Sequence, residues 1–203
     1  MSRLPSLSPE LLAPELQEDH AALARLRRHS ATARSDVYRA LGEERSATIE
    51  GPASALLFSP GLAPRVTDLG LHLRNGSSLP VALMELVILS VAAHWRCAYA
   101  WDNHAGYALR AGISEAVIAT LRDGRSPVLP EGQALALRYA RSLLDRRSID
   151  DGLHREVLAR FRERGVVELA ALVGYYGLLC SVLTAFDVPA RGDRRPFAAT
   201  TSR

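Results

Sequence analysis

Pro80-Val81-Ala82-Leu83-Met84-Glu85-Leu86-Val87-Ile88-Leu89-Ser90-Val91-Ala92-Ala93, followed by Arg96-Cys97-Ala98-Tyr99-Ala100-Trp101-Asp102-Asn103-His104, is the stretch that decides the fold. Its first half is apolar on every side except at Glu85 and Ser90. Burying that carboxylate without a partner would cost on the order of several kcal/mol, so a companion is expected nearby. In the second half Cys97, Trp101, His104 and Ala108 recur at i, i+4, i+7 and i+11, one helical stripe that position 100 shares. Glu85, Ile88, Leu89 and Ala92 form the matching face of the first half. An antiparallel helical hairpin therefore lays the Glu85 carboxylate near the His104 imidazole in apolar surroundings, which is general acid–base equipment.

Helical punctuation continues on both sides. Ser8-Pro9-Glu10 reads as the start of a helical arm reaching Leu41, with Pro14 and the region of Ser30 as candidate breaks. Turns at Glu50-Gly51-Pro52 and Ser59-Pro60-Gly61 leave room for a short helix between them. Leu62 to Arg74 is amphipathic and stops at Asn75-Gly76, and Gly112 closes the His104 helix. Ser114 caps the next helix, Glu131 to Leu144 forms another, and Ser148 to Arg164 a further one that Gly165 ends. A long apolar helix spans Val166 to Phe186. Nothing alternates like a strand over more than four residues, so the class is all-α. The expected organisation is an N-terminal helical arm over 1–49, a helical domain over 50–187 and a flexible Pro/Arg tail over 188–203.

Composition narrows the function. A chain of 203 residues with 48% hydrophobic and 23% charged content fits one domain with a substantial core. Every basic residue is Arg, which removes Schiff-base lysines and Walker-type phosphate loops. The net charge of +3 is small and the arginines are interleaved with acids, so no nucleic-acid partner is expected. The Arg191 to Arg195 cluster reads as a solvated tail. Cys97 and Cys180 stand far apart in sequence and fit reduced thiols in a cytoplasm. Met1-Ser2-Arg3-Leu4-Pro5 lacks the apolar core of a signal peptide. Leu169 to Phe186 is uncharged and just long enough for a membrane span. Gly174, Tyr175, Tyr176 and Gly177 interrupt it, so a core helix and no membrane partner are expected. His20, His29, His72 and His154 show no metal-ligand spacing, and neither a metal nor a cofactor is expected.

The layout Glu85, eleven residues, Cys97, six residues, His104, continued by Ala105 to Gly112 and Ile113-Ser114-Glu115-Ala116-Val117-Ile118, resembles the carboxymuconolactone decarboxylase family, which also contains alkylhydroperoxidase D. The similarity covers about residues 50–185 and is strongest from Pro80 to Ile118; Leu56-Leu57-Phe58-Ser59-Pro60 resembles the family's entry segment. The resemblance implies a compact helical homo-oligomer, commonly a trimer or hexamer with a dimer also open, and an active site beneath the Glu/Cys/His hairpin. Peroxidase members carry a Cys-x-x-Cys pair, whose second thiol is here Ala100. Decarboxylase members keep the acid–base groups without the thiols. Many single-Cys relatives are acidic at the positions of Ala98 and Ala100, so this chain departs from them twice, toward a smaller and more apolar pocket.

Three readings follow. In the first, Glu85 and His104 perform cofactor-free acid–base chemistry on a small unsaturated carboxylate or lactone, with Trp101, Tyr99, Ala100 and Arg96 as substrate-binding candidates. Arg96 would receive a carboxylate in a bidentate contact. In the second, Cys97 is oxidised as a one-Cys peroxidase and reduced by an external thiol. In the third, the protein is a non-catalytic member that binds a ligand or serves as a scaffold.

Overall fold

The computed structural model describes residues 2–5, 7, 8, 10, 12–30, 36–38, 49–146, 148–190, 196 and 197, and only the backbone of residues 27–30. The Arg191 to Arg195 cluster, the His29 side chain and the stretch leading to Leu41 from residue 39 lie outside the described residues. Among those described, all regular structure is helical. In chain order it comprises α1 (Pro14–Ser30), α2 (Pro52–Leu56), α3 (Leu62–Gly76), α4 (Val81–His94), α5 (Ala98–Arg110), α6 (Glu115–Arg122), α7 (Glu131–Arg141) running into a π-helical turn at Ser142–Arg146, and α8 (Asp151–Ala185).

A helix apolar on every side must be surrounded by protein, and α4 is: Leu83 through Ala92 are all buried. Helices α5, α6, α7 and α8 pack around it, while α1 lies along α3 and α2 abuts α8. The α4–α5 turn is a Schellman motif, with Arg96 N–H donating to Ala93 O at 3.0 Å and Cys97 N–H to Ala92 O at 2.9 Å. Its left-handed residue is Arg96, at φ 50°, where glycine is the usual occupant. The same bonding pattern ends α5 with Gly112 at φ 90°. Reversal at Arg96 folds α5 back onto α4, so the Glu85 and His104 faces meet.

Three boundaries differ from the sequence expectation. Helix α1 begins at Pro14, and the Ser8 hydroxyl donates to the Glu10 carboxylate. Helix α8 is capped by Asp150, whose carboxylate accepts from Leu153 N–H at 2.9 Å, and not by Ser148. Gly165 does not end that helix: the interruption falls at Arg162, at φ 60°. Gly165 is instead a packing residue, since a Cβ there would sit 2.8 Å from Phe161 Cβ. By length and composition α8 could cross a membrane, yet Leu169, Leu172, Tyr176, Cys180 and Leu183 along it are buried in protein.

Candidate active site

Glu85 has no solvent exposure, and both of its carboxylate oxygens are engaged. Oε2 lies 2.8 Å from His104 Nδ1. Oε1 accepts from the Tyr38 hydroxyl at 2.7 Å. An ionised Glu85 can only accept; paired in that form, His104 donates from Nδ1 and turns Nε2 to any bound molecule. Burial, followed by the Glu85 charge, pushes the Tyr38 phenol far up, and Tyr38 therefore remains a donor to Glu85.

Two aromatic rings hold the imidazole edge-on, and a third backs one of them. Tyr176 is 5.0 Å and Tyr107 5.7 Å from the His104 ring between centroids, and Tyr38 stands 6.4 Å from Tyr107. Rings in this arrangement fix the plane of the histidine as well as excluding water. His104 forms part of the wall of a cavity of about 100 Å³ between α2, α3, α5 and α8, which Arg74, Thr67, Asn103 and Tyr176 also line. Close backbone approaches shape this wall. The Tyr99 hydroxyl presses on Gly51, at φ 64°, and the Tyr175 hydroxyl on Gly70, places where a Cβ would collide.

Of the candidates named from sequence, Glu85 and His104 meet as expected, and Tyr99 and Ala100 line the cavity. Trp101, Arg96 and Cys97 do not. The edge of α5 that faces the cavity carries residues 99, 100, 103 and 104, so Trp101 turns away and is buried against Phe197, 5.3 Å between rings. Arg96 stacks over the same Phe197 ring at 5.6 Å and is not placed to receive a carboxylate in the cavity. Phe197 belongs to the stretch read as a flexible tail, and it is seated at this point. Cys97 is buried at the N-cap of α5. A hydrogen bond with the Cys180 thiol, opposed by burial and helped by the amides of Ala100 and Tyr99, lowers its pKa, while that same bond and burial push Cys180 far up.

Sequence reasoning missed Tyr38, Arg74 and the Cys180 contact. Tyr38 and Cys180 come from distant segments and no spacing rule reaches them. Arg74 carried a weak signal, a cation one residue before a helix stop on an otherwise apolar face. Among the described residues no group of three His, Cys, Asp or Glu side chains could hold a metal ion.

Comparison with known proteins bears on residues 60–142, which match the model of the Carboxymuconolactone decarboxylase family. The chain is also 30% identical over 121 residues to YnjA, an uncharacterized protein of Escherichia coli (strain K12), an alignment covering 59% of this chain and 66% of that protein. Both Glu85 and His104 lie inside the family match.

Proposed function

The chain belongs to the carboxymuconolactone decarboxylase family through residues 60–142, and from that premise we propose that it is a cofactor-free enzyme acting on a small unsaturated carboxylate or lactone by proton transfer. The observation that carries this reading is the fully buried Glu85 carboxylate 2.8 Å from Nδ1 of a histidine that lines the cavity. Loss of carbon dioxide from a conjugated acid leaves an electron pair on carbon, delocalised as an enolate. His104 delivers a proton to that carbon from Nε2, Glu85 stabilises the imidazolium that precedes the transfer, and solvent restores the proton afterwards. Tyr38 acts through Glu85 and is a positioning residue.

Screening purified protein against small unsaturated carboxylates and lactones by mass spectrometry tests the reading. Turnover that falls by about a hundredfold or more in Glu85→Gln and His104→Gln is expected, the usual scale for a general acid–base group. Undiminished turnover in both variants would end it. Ligand binding retained in both with no reaction for the unaltered protein would make the cavity a binding site only. A cytoplasmic homo-oligomer is part of the same reading. Two unbridged thiols and exposed Leu62, Leu69, Val167 and Leu178 support it, and light scattering of the purified protein checks the assembly.

A specific contact favours a second reading, a peroxidase. The Cys180 thiol, which interacts with the Cys97 thiol, could serve as the second thiol that Ala100 replaces in the Cys-x-x-Cys pattern. The Cys97 thiolate would attack a hydroperoxide oxygen, releasing the alcohol and leaving a sulfenic acid. The Cys180 thiol would then displace water to give a disulfide, which an external dithiol reduces. Hydroperoxide consumption abolished by Cys97→Ser, with carboxylate turnover intact, would separate this activity from the first.

A further inference from the structure

The geometry points to Arg74 as the anion-binding residue of the cavity, its guanidinium together with the Tyr176 hydroxyl gripping the carboxylate of a small organic acid beside His104. Arg74 sits in the last turn of α3, is only 7% exposed and forms part of the cavity wall. A guanidinium carries five N–H donors and keeps its charge under all ordinary conditions. Among the described residues it bonds only the Tyr176 hydroxyl, at 3.4 Å, a long contact to a neutral group. No described carboxylate forms an ion pair with it. Glu50, an acid on the cavity wall, is exposed.

Buried cations are ordinarily paired, because desolvating one without a counter-charge is costly. Glu85 is near enough to influence the same two phenols, Tyr38 and Tyr176, that Arg74 influences. It is nevertheless committed to Tyr38 and His104 through both oxygens. Among the described residues a cation thus stands at the cavity with no acid paired to it. A planar carboxylate matches the guanidinium fork through two parallel hydrogen bonds, and a volume of about 100 Å³ admits only a small one. This is the role that sequence reasoning gave to Arg96. The anion site stands on Arg74 and Tyr176; that the anion is the substrate rests on the acid–base reading.

The test uses crotonate, benzoate and their neutral amides, titrated into the full-length protein and followed by calorimetry and by the shift in melting temperature. At least one of the two acids is expected to bind about tenfold or more tighter than its amide, as a charge-assisted bidentate contact requires. That preference is expected to vanish in Arg74→Met, to weaken in Arg74→Lys and Tyr176→Phe, and to persist in Glu85→Gln. Equal affinity for acid and amide in the unaltered protein, or a preference surviving in Arg74→Met, overturns the assignment. Should Arg74→Met fail to fold, an acid preference unchanged in both Arg74→Lys and Tyr176→Phe overturns it equally. Loss of turnover in Glu85→Gln without loss of acid binding separates this site from the catalytic pair. Acid binding lost in Arg74→Met, where no turnover exists to lose, would leave the anion site standing and the acid–base reading fallen.

Discussion

Replacing His104 by Ala strands Glu85. The carboxylate has zero exposure and two partners, so the substitution leaves a buried acid with only the Tyr38 hydroxyl at 2.7 Å. Leaving a buried charge without its partner costs about 3–5 kcal/mol, against a total stability of roughly 5–15 kcal/mol for a domain. Because His104 lines an existing cavity, the space it vacates joins that cavity and adds little as a separate void. The reciprocal change, Glu85→Leu, leaves His104 Nδ1 and the Tyr38 hydroxyl without acceptors, at about 1–3 kcal/mol each. Carrying the same two changes together, Glu85→Leu with His104→Ala, removes charge and donor at once, and because replacing a buried pair by apolar groups is close to neutral, the main cost left is the Tyr38 hydroxyl without its acceptor. The double variant should therefore be more stable than the sum of the singles predicts by about 3 kcal/mol, the upper end of measured couplings. Urea unfolding followed by circular dichroism reads this directly: at about 2 kcal/mol/M the His104→Ala midpoint drops by roughly 1.5–2.5 M. Protein concentration must be held fixed if the chain assembles. Additivity within about 0.5 kcal/mol would mean that the two groups do not interact and would refute the reasoning.

Other expectations follow from single contacts. Tyr38→Phe keeps the ring against Tyr107 but takes one donor from Glu85, so stability falls by about 1–3 kcal/mol in the same assay. Glu168 accepts from both serine hydroxyls of the α3–α4 link and from the Ser78 amide, and pairs with Arg164 at 2.8 Å. Burial opposes its ionisation, yet these bonds prevail and lower its pKa from 4.5 to about 2. Its contribution is therefore complete above about pH 4.5 and lost as pH falls toward 2, and Glu168→Gln should flatten acid unfolding within that window. Gly165→Ala crowds Phe161 Cβ, four residues earlier on the same helix, and should cost about 1–3 kcal/mol by urea titration. Treatment with a thiol oxidant should remove two hydrogen atoms from the intact mass by joining Cys97 to Cys180, and neither Cys→Ser variant should show that change.

The hairpin was legible because two strong local signals agree there: an acid alone in a continuous apolar run, and a histidine on a 3.6-residue stripe. What periodicity left open was the direction of that stripe by one position. A helix turns about 100° per residue, so a face centred near Ala100 and Asn103 rather than Trp101 moves Trp101 off the cavity without altering the pattern of apolar positions. Arg162 and Gly165 show the same limit in backbone form. Glycine is the ordinary sign of a helix end, but at 165 its value is the missing side chain, and the chain bends three residues earlier. Tyr38, Arg74 and Cys180 owe their roles to tertiary contacts with α4 or α5, or with α8, and local patterning contains no record of such pairings.

The arrangement of the four polar groups explains why the site uses tyrosines where a shorter route existed. Had Glu85 faced Arg74 directly, the two would have formed a buried salt bridge, leaving His104 without an orienting acceptor and the cavity without a cation. Tyr38 and Tyr176 each lie within the influence of both charges. Tyr38 spends its proton on Glu85 and Tyr176 meets Arg74. Burial acts most strongly on both phenols and raises their pKa, so they stay neutral and hold the acid and the cation apart without consuming either. Phenylalanine at both positions keeps the rings but removes this separation. In Tyr38→Phe/Tyr176→Phe, Glu85 loses a donor and Arg74 its sole described partner, and the two charges gain from approaching each other. A crystal structure of that variant should show Arg74 drawn toward Glu85, and carboxylate binding should fall with it. Unmoved Arg74 and undiminished binding would show that packing alone keeps the charges apart.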